Sequence, residues 1–170
     1  MSAKSAVIDT CSLINLQTIN NISLIKQLRY YFGTTVYVEV EIIDSACRDF
    51  LKRLERENLA RRIELTIEDL VEMAKIPYSK RLSNGELSCY IKAKELNIYA
   101  LSDDKKAIKY ISRYYDINHI IGIKHFLEDA YLHGFLGEFE VKRYIEELAQ
   151  NRFKIEDEFL INLIAQKHRS

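Results

Sequence analysis

The sequence is poor in the residues that loosen or cross-link a chain. It has one proline and five glycines among 170 residues. Flexible linkers and low-complexity tracts are usually rich in such residues, so we expect neither, and the length fits one domain. The three cysteines form no CxxC pair, which argues against a zinc site or a disulfide framework. Free thiols are typical of a reducing compartment, so a cytoplasmic protein is expected.

The chain also lacks net charge and long apolar runs. Lysine plus arginine equal aspartate plus glutamate, at 25 each. A broad basic surface that binds duplex DNA by charge alone is therefore not expected, whereas an acidic site with a locally basic rim also sums to zero. No apolar run approaches the ~18–20 residues that a membrane span needs, so we expect no membrane association. The GxGxxG and P-loop patterns are absent as well.

Short β-type segments alternate with helical segments over the first two thirds of the chain. The predicted strands cover residues 6–8, 34–38, 63–67, 98–101 and 119–121. The predicted helices between them include 23–32, 40–59, 68–75, 83–96 and 105–114. This alternation predicts an α/β fold in which helices cover both faces of a five-stranded, mainly parallel sheet.

The last part of the chain shows helical patterns only. These predicted helices cover residues 124–133, 138–150 and 156–167. We expect residues 1–137 to form the main domain and residues 138–170 to form a helical extension packed on it.

Carboxylates follow two of the predicted strands directly. Asp9 comes after the first strand, and Asp103 and Asp104 come after the fourth. Ligands of parallel α/β sheets bind beyond the carboxyl ends of the strands. If the sheet is parallel, these acids face one edge, and the sequence predicts a binding site there.

Three further acids are expected within reach of that edge. Glu41 and Asp44 are three residues apart, on one face of the helix predicted after the second strand. Glu86 follows Ser83 at the capping-box spacing, at the start of the helix before the fourth strand. Glu41 and Glu86 therefore approach the edge from nearby helix ends.

A cluster of acids has a chemical purpose when it binds a cation. Carboxylates held close together repel one another and resist ionising. Mg²⁺ and Mn²⁺ prefer oxygen ligands, and two such ions activate a water and stabilise the leaving oxygen in phosphodiester cleavage. The predicted cluster therefore indicates a divalent-metal site that cuts nucleic acid.

Each acid also fits a purely structural role. Asp9 fits a cap of the turn after the first strand, and Glu86 fits the glutamate of a capping box. One of Asp103 and Asp104 fits the N-cap of the helix that follows them. Glu41 fits a solvated helix residue. Their joint placement at one predicted edge favours the metal site.

The order of four segments resembles the PIN domain family of nucleases. These segments are VIDTCSLINL at 7–16, VEVEII at 38–43, NGELSCYIKAKELNI at 84–98 and YALSDDKKA at 99–107. Residues 122–137 also resemble the stretch after the last strand in a bacterial and archaeal PIN subgroup. The resemblance implies a three-layer sandwich around a five-stranded parallel sheet, and an endoribonuclease that depends on Mg²⁺ or Mn²⁺.

Motif by motif, the resemblance also implies particular site residues. The four implied catalytic acids are Asp9, Glu41, Glu86 and Asp104. The implied metal ligands are Asp9, Glu86 and Asp104, with Asp103 as an extra carboxylate. The implied supporting residues are Thr10, Ser12 and Ser102, together with Asp44, which is the alternative to Glu41 as second acid.

Lysines near the acids are candidates for binding the substrate. Lys105 and Lys106, and Lys92 on the preceding helix, are placed to hold a phosphate backbone, although a solvated helix face explains them equally. By resemblance, RNA is the expected substrate, with DNA left open. Many such nucleases are toxins, so an antitoxin protein and a homodimer are the other expected partners. The alternative is a non-catalytic module of the same fold that binds RNA or a protein.

Overall fold

The computed structural model describes residues 2–77, 82–114 and 119–169. Within them, the chain forms one five-stranded sheet in the order β3-β2-β1-β4-β5, and every neighbouring pair is parallel. The strands are β1 (Lys4–Ile8), β2 (Tyr30–Thr34), β3 (Ala60–Arg62), β4 (Tyr99–Leu101) and β5 (Ile120–Ile121). The predicted five-stranded parallel sheet is confirmed.

Helices connect the strands and continue beyond the last one. They are α1 (Thr10–Ile19), α2 (Ile22–Gln27), α3 (Val36–Glu41), α4 (Ser45–Arg56), α5 (Ile67–Lys75), α6 (Asn84–Leu96), α7 (Lys105–Ile111), α8 (Ile123–Leu132), α9 (Glu138–Gln150) and α10 (Glu158–Lys167). None of the helices in the described ranges is long and apolar enough to cross a membrane.

Two apolar cores lie on opposite faces of the sheet, because successive residues of a strand point to opposite sides. Ala6 and Ile8 of β1 belong to the larger core, which also holds residues of α1, α2, α4, α8, α9 and α10. Val7 belongs to the second core, together with residues of α5, α6 and α7. The molecule is therefore the predicted α/β sandwich of three layers.

The pairing of β1 with β4 sets the position of the site. Ile8 lies opposite Leu101 in the parallel register, and the Asp9 amide donates to the Leu101 carbonyl at 3.1 Å. The residues that follow these two strands therefore leave the sheet at the same edge. Asp9 and Ser102 are the first residues after β1 and β4 at that edge.

The second strand lies four residues before its predicted position. The prediction placed the strand at 34–38 because Val36, Tyr37 and Val38 favour extended chain. In the structure, the Thr35 hydroxyl caps α3 by accepting from the Val38 amide at 3.4 Å. The helix predicted at 23–32 ends at Gln27, and Gly33, just beyond its predicted end, lies inside β2, where a Cβ would overlap the Ile63 side chain.

The third strand and the helix before it also differ from the prediction. The third strand is at Ala60–Arg62 rather than 63–67, because residues 60–62 pair with β2. The helix predicted at 40–59 is two helices, α3 and α4. Asp44 starts the second one by accepting from the Cys47 amide at 2.8 Å.

The last two helices pack on the same core as the sheet. Val141, Tyr144 and Leu148 of α9 and Leu163 of α10 are buried in the larger core. The division at residue 137 stays a prediction.

Candidate active site

Asp9 is fully buried where β1 ends. Its Oδ1 caps α1 by accepting from the Ser12 amide at 2.7 Å. Its Oδ2 is also buried and has no hydrogen-bond partner among the described residues. Burial raises the pKa of this carboxyl to about 6, although the nearby Ser102 hydroxyl and Ser12 amide lower it, and the charge of Asp103 raises it further. A buried carboxylate oxygen without a donor is costly, and a bound cation would offset that cost.

Glu86 caps its own helix and faces other acids. It forms the predicted capping box, in which the Ser83 amide donates to Oε2 at 2.8 Å and the Glu86 amide donates to the Ser83 hydroxyl at 3.1 Å. Burial raises the pKa of Glu86 to about 7 against the lowering effect of the Ser83 amide, and the charges of Asp104, Asp9 and Glu41 raise it too. The other three predicted catalytic acids therefore lie close enough to Glu86 to disfavour its ionisation.

Glu41 is held between the first turns of two helices. Its Oε2 accepts from the Thr10 hydroxyl at 2.8 Å, and its Oε1 accepts from the Gly85 amide at 2.9 Å. A Cβ on residue 85 would overlap this carboxylate, 2.7 Å from its Cδ, so glycine leaves the room that Glu41 occupies. The sequence motif did not indicate this role for Gly85.

Asp44, the alternative second acid, has a different surrounding. It is exposed and caps the first turn of α4. No hydrogen bond in the described ranges joins it to Asp9, Glu86 or Asp104. The structure brings Glu41 to the acidic edge instead, and the assignment of the second acid stays a prediction.

The adjacent aspartates after β4 differ in how many of their carboxylate oxygens accept hydrogen bonds. Asp103 Oδ2 accepts from the Ser12 hydroxyl at 2.9 Å and from the side-chain amide of Asn15 at 3.1 Å, and its Oδ1 accepts from the backbone amide of Ile123 at 2.9 Å. Asp104 uses Oδ1 alone, to cap α7 at 2.7 and 3.1 Å. Asp103 thus ties β4 to α1 and α8, and Asp104 keeps an oxygen for another ligand.

The remaining hydroxyl, that of Ser102, connects the edge to α6. Ser102 is buried and accepts a hydrogen bond from the Tyr90 hydroxyl at 2.8 Å. Sequence reasoning missed Tyr90 and Asn15, because only the packing of α6 and α1 against the end of β4 brings them there.

The thiol of Cys11 lies close to the carboxylates of the same edge. Although Cys11 is exposed, the surrounding protein partly desolvates its thiol and raises the pKa to about 12, and the charges of Asp9, Glu86, Asp104 and Asp103 raise it further. Sequence reasoning treated this cysteine only as a free thiol. Its position two residues after Asp9 is the available signal.

The three lysines that are candidates for binding the substrate lie in three different environments. Lys92 is buried in ion pairs with Asp69 at 2.8 Å and with Glu95, so it holds α5 against α6 and does not reach solvent. Lys105 is exposed and pairs with Glu156 at 3.1 Å. Lys106 is exposed at the start of α7. A phosphate-binding role for Lys92 is therefore excluded by its burial.

The acids of this edge bond to protein donors and do not converge on a common point. Across residues 2–77, 82–114 and 119–169, no three histidine, cysteine, aspartate or glutamate side chains are arranged to hold a metal ion. Hydroxyls and backbone amides occupy oxygens of Asp9, Glu41, Glu86 and Asp104. Two features nevertheless fit a bound divalent cation: the unpartnered oxygen of Asp9 and the raised pKa values of Asp9 and Glu86. A cation would supply the missing partner and favour the ionised form of both acids.

The parallel sheet with buried acids at its carboxyl edge defines an α/β domain with an acidic site. A family model, DUF3368, described as PIN domain, matches residues 5–169. The chain belongs to the PIN domain family. Its members are generally nucleases and typically use divalent metals, which gives this chain a nuclease-type function. A search among curated proteins gives no match.

Proposed function

We propose that this protein is an endoribonuclease that hydrolyses phosphodiester bonds of RNA with the help of Mg²⁺ or Mn²⁺. The observation that carries the proposal is the buried, unpartnered Oδ2 of Asp9. It lies at an edge where the charges of Asp104, Asp9 and Glu41 raise the pKa of Glu86. Such a group of acids is stabilised by a cation and has no comparable use in packing alone.

The proposed ligands are Asp9, Glu86 and Asp104, each of which already uses one oxygen to cap a helix. Those caps fix the carboxylates in place, which leaves the second oxygens for the cation. The ion supplies Lewis-acid stabilisation of the phosphate and an activated water. Asp103, whose two oxygens both have protein donors, positions α1 and α8 around the site.

Glu41 is proposed to orient the attacking water. Its two hydrogen bonds, from Thr10 and Gly85, fix its carboxylate at the acidic edge. A carboxylate held in this way orients a water better than a mobile one does, because no ordering is needed at the moment of reaction.

A second candidate function is a non-catalytic module that binds RNA or a protein. The observation that favours it is that every acid has a structural hydrogen bond, while no three of the described acids stand at ligand geometry. In that case, metal would leave RNA intact, and the acids would serve only as helix caps.

The proposed biological setting is a toxin paired with a small antitoxin protein, with a homodimer as the active form. Large apolar side chains exposed on α3, α5 and the turn after α3 support a protein partner: Val40, Ile43, Ile67 and Val71. A short neighbouring reading frame whose product relieves growth arrest by this protein would support the setting. Growth unaffected by strong expression of the active enzyme would contradict it.

The test of the proposed activity is cleavage of single-stranded RNA during a titration with Mn²⁺. Purified wild type should cut in Mn²⁺ and not in a chelator. Asp9→Asn should lower the rate by at least on the order of 100-fold, because a charge at the reacting centre is lost. Asp44→Asn is the matched control, since asparagine is an equally good helix cap. Full activity of a folded Asp9→Asn protein would overturn the assignment.

A further inference from the structure

A groove of about 470 Å³ opens beside the acidic edge. Its lining includes Asp103 and Asp104 and, from the start of α7, Lys106. Residues 151–153, which follow α9 in the C-terminal part of the chain, line the same groove. The groove therefore connects the site of the acids with a segment that the catalytic motifs do not include.

Residues 151–153 have a fixed conformation because they close the end of α9. The Arg152 amide donates to the Ala149 carbonyl at 3.1 Å, and the Phe153 amide donates to the Leu148 carbonyl at 2.9 Å. Arg152 has a φ of +67°, in the left-handed region. This position after a helix is the one where glycine is most common, because a side chain disfavours the conformation. An arginine here costs backbone energy, and strain of this kind is often kept for a function.

The cations of the groove differ in whether they are already neutralised. Lys105 pairs with Glu156, which also pairs with Lys124. Lys106 and Arg152 are both exposed, and in the ranges that the structure covers no ion pair joins either of them to a carboxylate. Two cations without an ion pair therefore line the same groove as the two aspartates.

A nucleic acid that binds with one phosphate at the acidic edge also carries neighbouring phosphates, which need positions on the protein. The groove offers the two cations for them, and its wall at Phe153 and Ile14 is apolar. A volume of this size is in the range of clefts that take a ligand of a few hundred daltons, which is enough for a short stretch of one strand. Unpaired bases also contact apolar walls more readily than stacked ones.

We infer that Arg152 and Lys106 hold the phosphates that flank the cleaved bond of a single-stranded RNA. The loop after α9 is then a substrate-positioning element contributed by the C-terminal extension. The inference rests on the proposed nuclease function of the acidic edge, but it concerns binding, which is measured without cleavage.

The most informative variant is Arg152→Gly. Glycine suits the left-handed backbone better than arginine, so the melting temperature should stay the same or rise while the cation is lost. The probe is a fluorescently labelled 12-nucleotide single-stranded RNA, titrated in a chelator so that no cleavage takes place. We expect about a tenfold weaker Kd, and a fall of about 0.7 in the slope of log K against log salt for each lost phosphate contact. Lys106→Ala should act in the same direction.

The matched control is Lys142→Ala, which removes an exposed cation from the same extension. Lys142 lies nine residues before Asn151, or about 13 Å along α9. Its loss should leave both the Kd and the salt slope unchanged. A loss of affinity in this control equal to that in Arg152→Gly would mean that net charge alone matters, and would overturn the inference.

Two further results separate this inference from the proposed function. If wild type cuts RNA while Arg152→Gly keeps the wild-type Kd, KM and salt slope, the inference is wrong and the nuclease assignment stands. If wild type binds the RNA through Arg152 without cutting it in Mn²⁺, the nuclease assignment fails and the binding role stands. Tighter binding of a 12-base-pair RNA duplex than of the single strand would overturn the inference as well.

Discussion

The carboxylate of Glu41 rests on the backbone of Gly85, whose amide donates to Oε1 at 2.9 Å. This contact joins the last residue of α3 to the first turn of α6, one residue before Glu86. The absence of a side chain at residue 85 is what permits it, because a Cβ there would overlap the carboxylate. The small residue and the acid therefore act as one unit of the site.

We predict that Gly85→Ala impairs cleavage without unfolding the protein. Alanine favours a helix over glycine by up to about 1 kcal/mol, and the displaced group is the far end of a flexible side chain. The free energy of unfolding, measured in urea, should thus change by about 1 kcal/mol or less. Because Glu41 must move, the cleavage rate should fall by at least on the order of tenfold.

Gly137→Ala is the control for that substitution, since a Cβ on Gly137 would meet only Glu140 Oε2, at 3.7 Å. It should leave the cleavage rate unchanged. Combining Gly85→Ala with Glu41→Gln should add little to the loss that Glu41→Gln causes alone. Additive losses in the double variant would show that Gly85 acts independently of Glu41.

Asp103 and Asp104 should separate into a structural and a metal-binding residue. Asp103→Asn puts an amide where three donors now meet, so it should lower the free energy of unfolding by about 1–3 kcal/mol. Asp104→Asn keeps a cap acceptor and should leave stability almost unchanged, while weakening Mn²⁺ binding by at least on the order of tenfold. Urea unfolding measures the change in stability, and calorimetric titration measures the change in Mn²⁺ affinity. If Asp103→Asn weakened Mn²⁺ binding and Asp104→Asn lowered stability, the two roles would be reversed.

The stability of the metal-free protein should fall between pH 5.5 and pH 8. The pKa values of Asp9 and Glu86 are raised by burial from 3.8 and 4.5 to about 6 and about 7. The folded state therefore holds protons that the unfolded state has lost, so stability decreases as pH rises through this window, by about 2–3 kcal/mol. Acids with lowered pKa values, such as Glu39, are ionised at both pH values and do not contribute.

Two comparisons check that pH dependence. Asp9→Asn should unfold at higher urea than wild type at pH 8 in a chelator, because it removes a buried charge. Adding Mn²⁺ should stabilise wild type more at pH 8 than at pH 5.5. Stability of the chelated wild type that rises from pH 5.5 to pH 8 would contradict the burial of these two acids.

Lys92 should matter for stability and not for cleavage. Asp69→Ala leaves its ammonium group buried with only the half-exposed Glu95 as an ion-pair partner among the described residues, so the free energy of unfolding should fall by about 3–5 kcal/mol. Replacing both partners together, as Lys92→Met with Asp69→Leu, should cost much less. The cleavage rate of the folded double variant should equal that of wild type. A selective loss of RNA affinity in this double variant would show that Lys92 contacts the substrate.

Local patterns in the sequence predicted the parts of the site that each need only a few neighbouring residues. The turn after β1 at Asp9 and the capping box of Glu86 are of this kind, and both follow from short-range chemistry. The second strand was misplaced because Val36–Val38 favour extended chain locally, whereas the Thr35 hydroxyl caps a helix at these residues in the structure. Gly85 and Arg152 could not be assigned, since their roles depend on side chains or backbone from distant segments.

Mn²⁺ binding measured by calorimetry at pH 8 tests the central claim most directly, because it does not depend on the identity of the RNA. Wild type and Asp44→Asn should bind the ion with equal affinity. Asp9→Asn should bind it at least on the order of tenfold more weakly while keeping its fold. Equal binding by wild type and folded Asp9→Asn, or no binding by wild type, would contradict a metal site built on the free oxygen of Asp9.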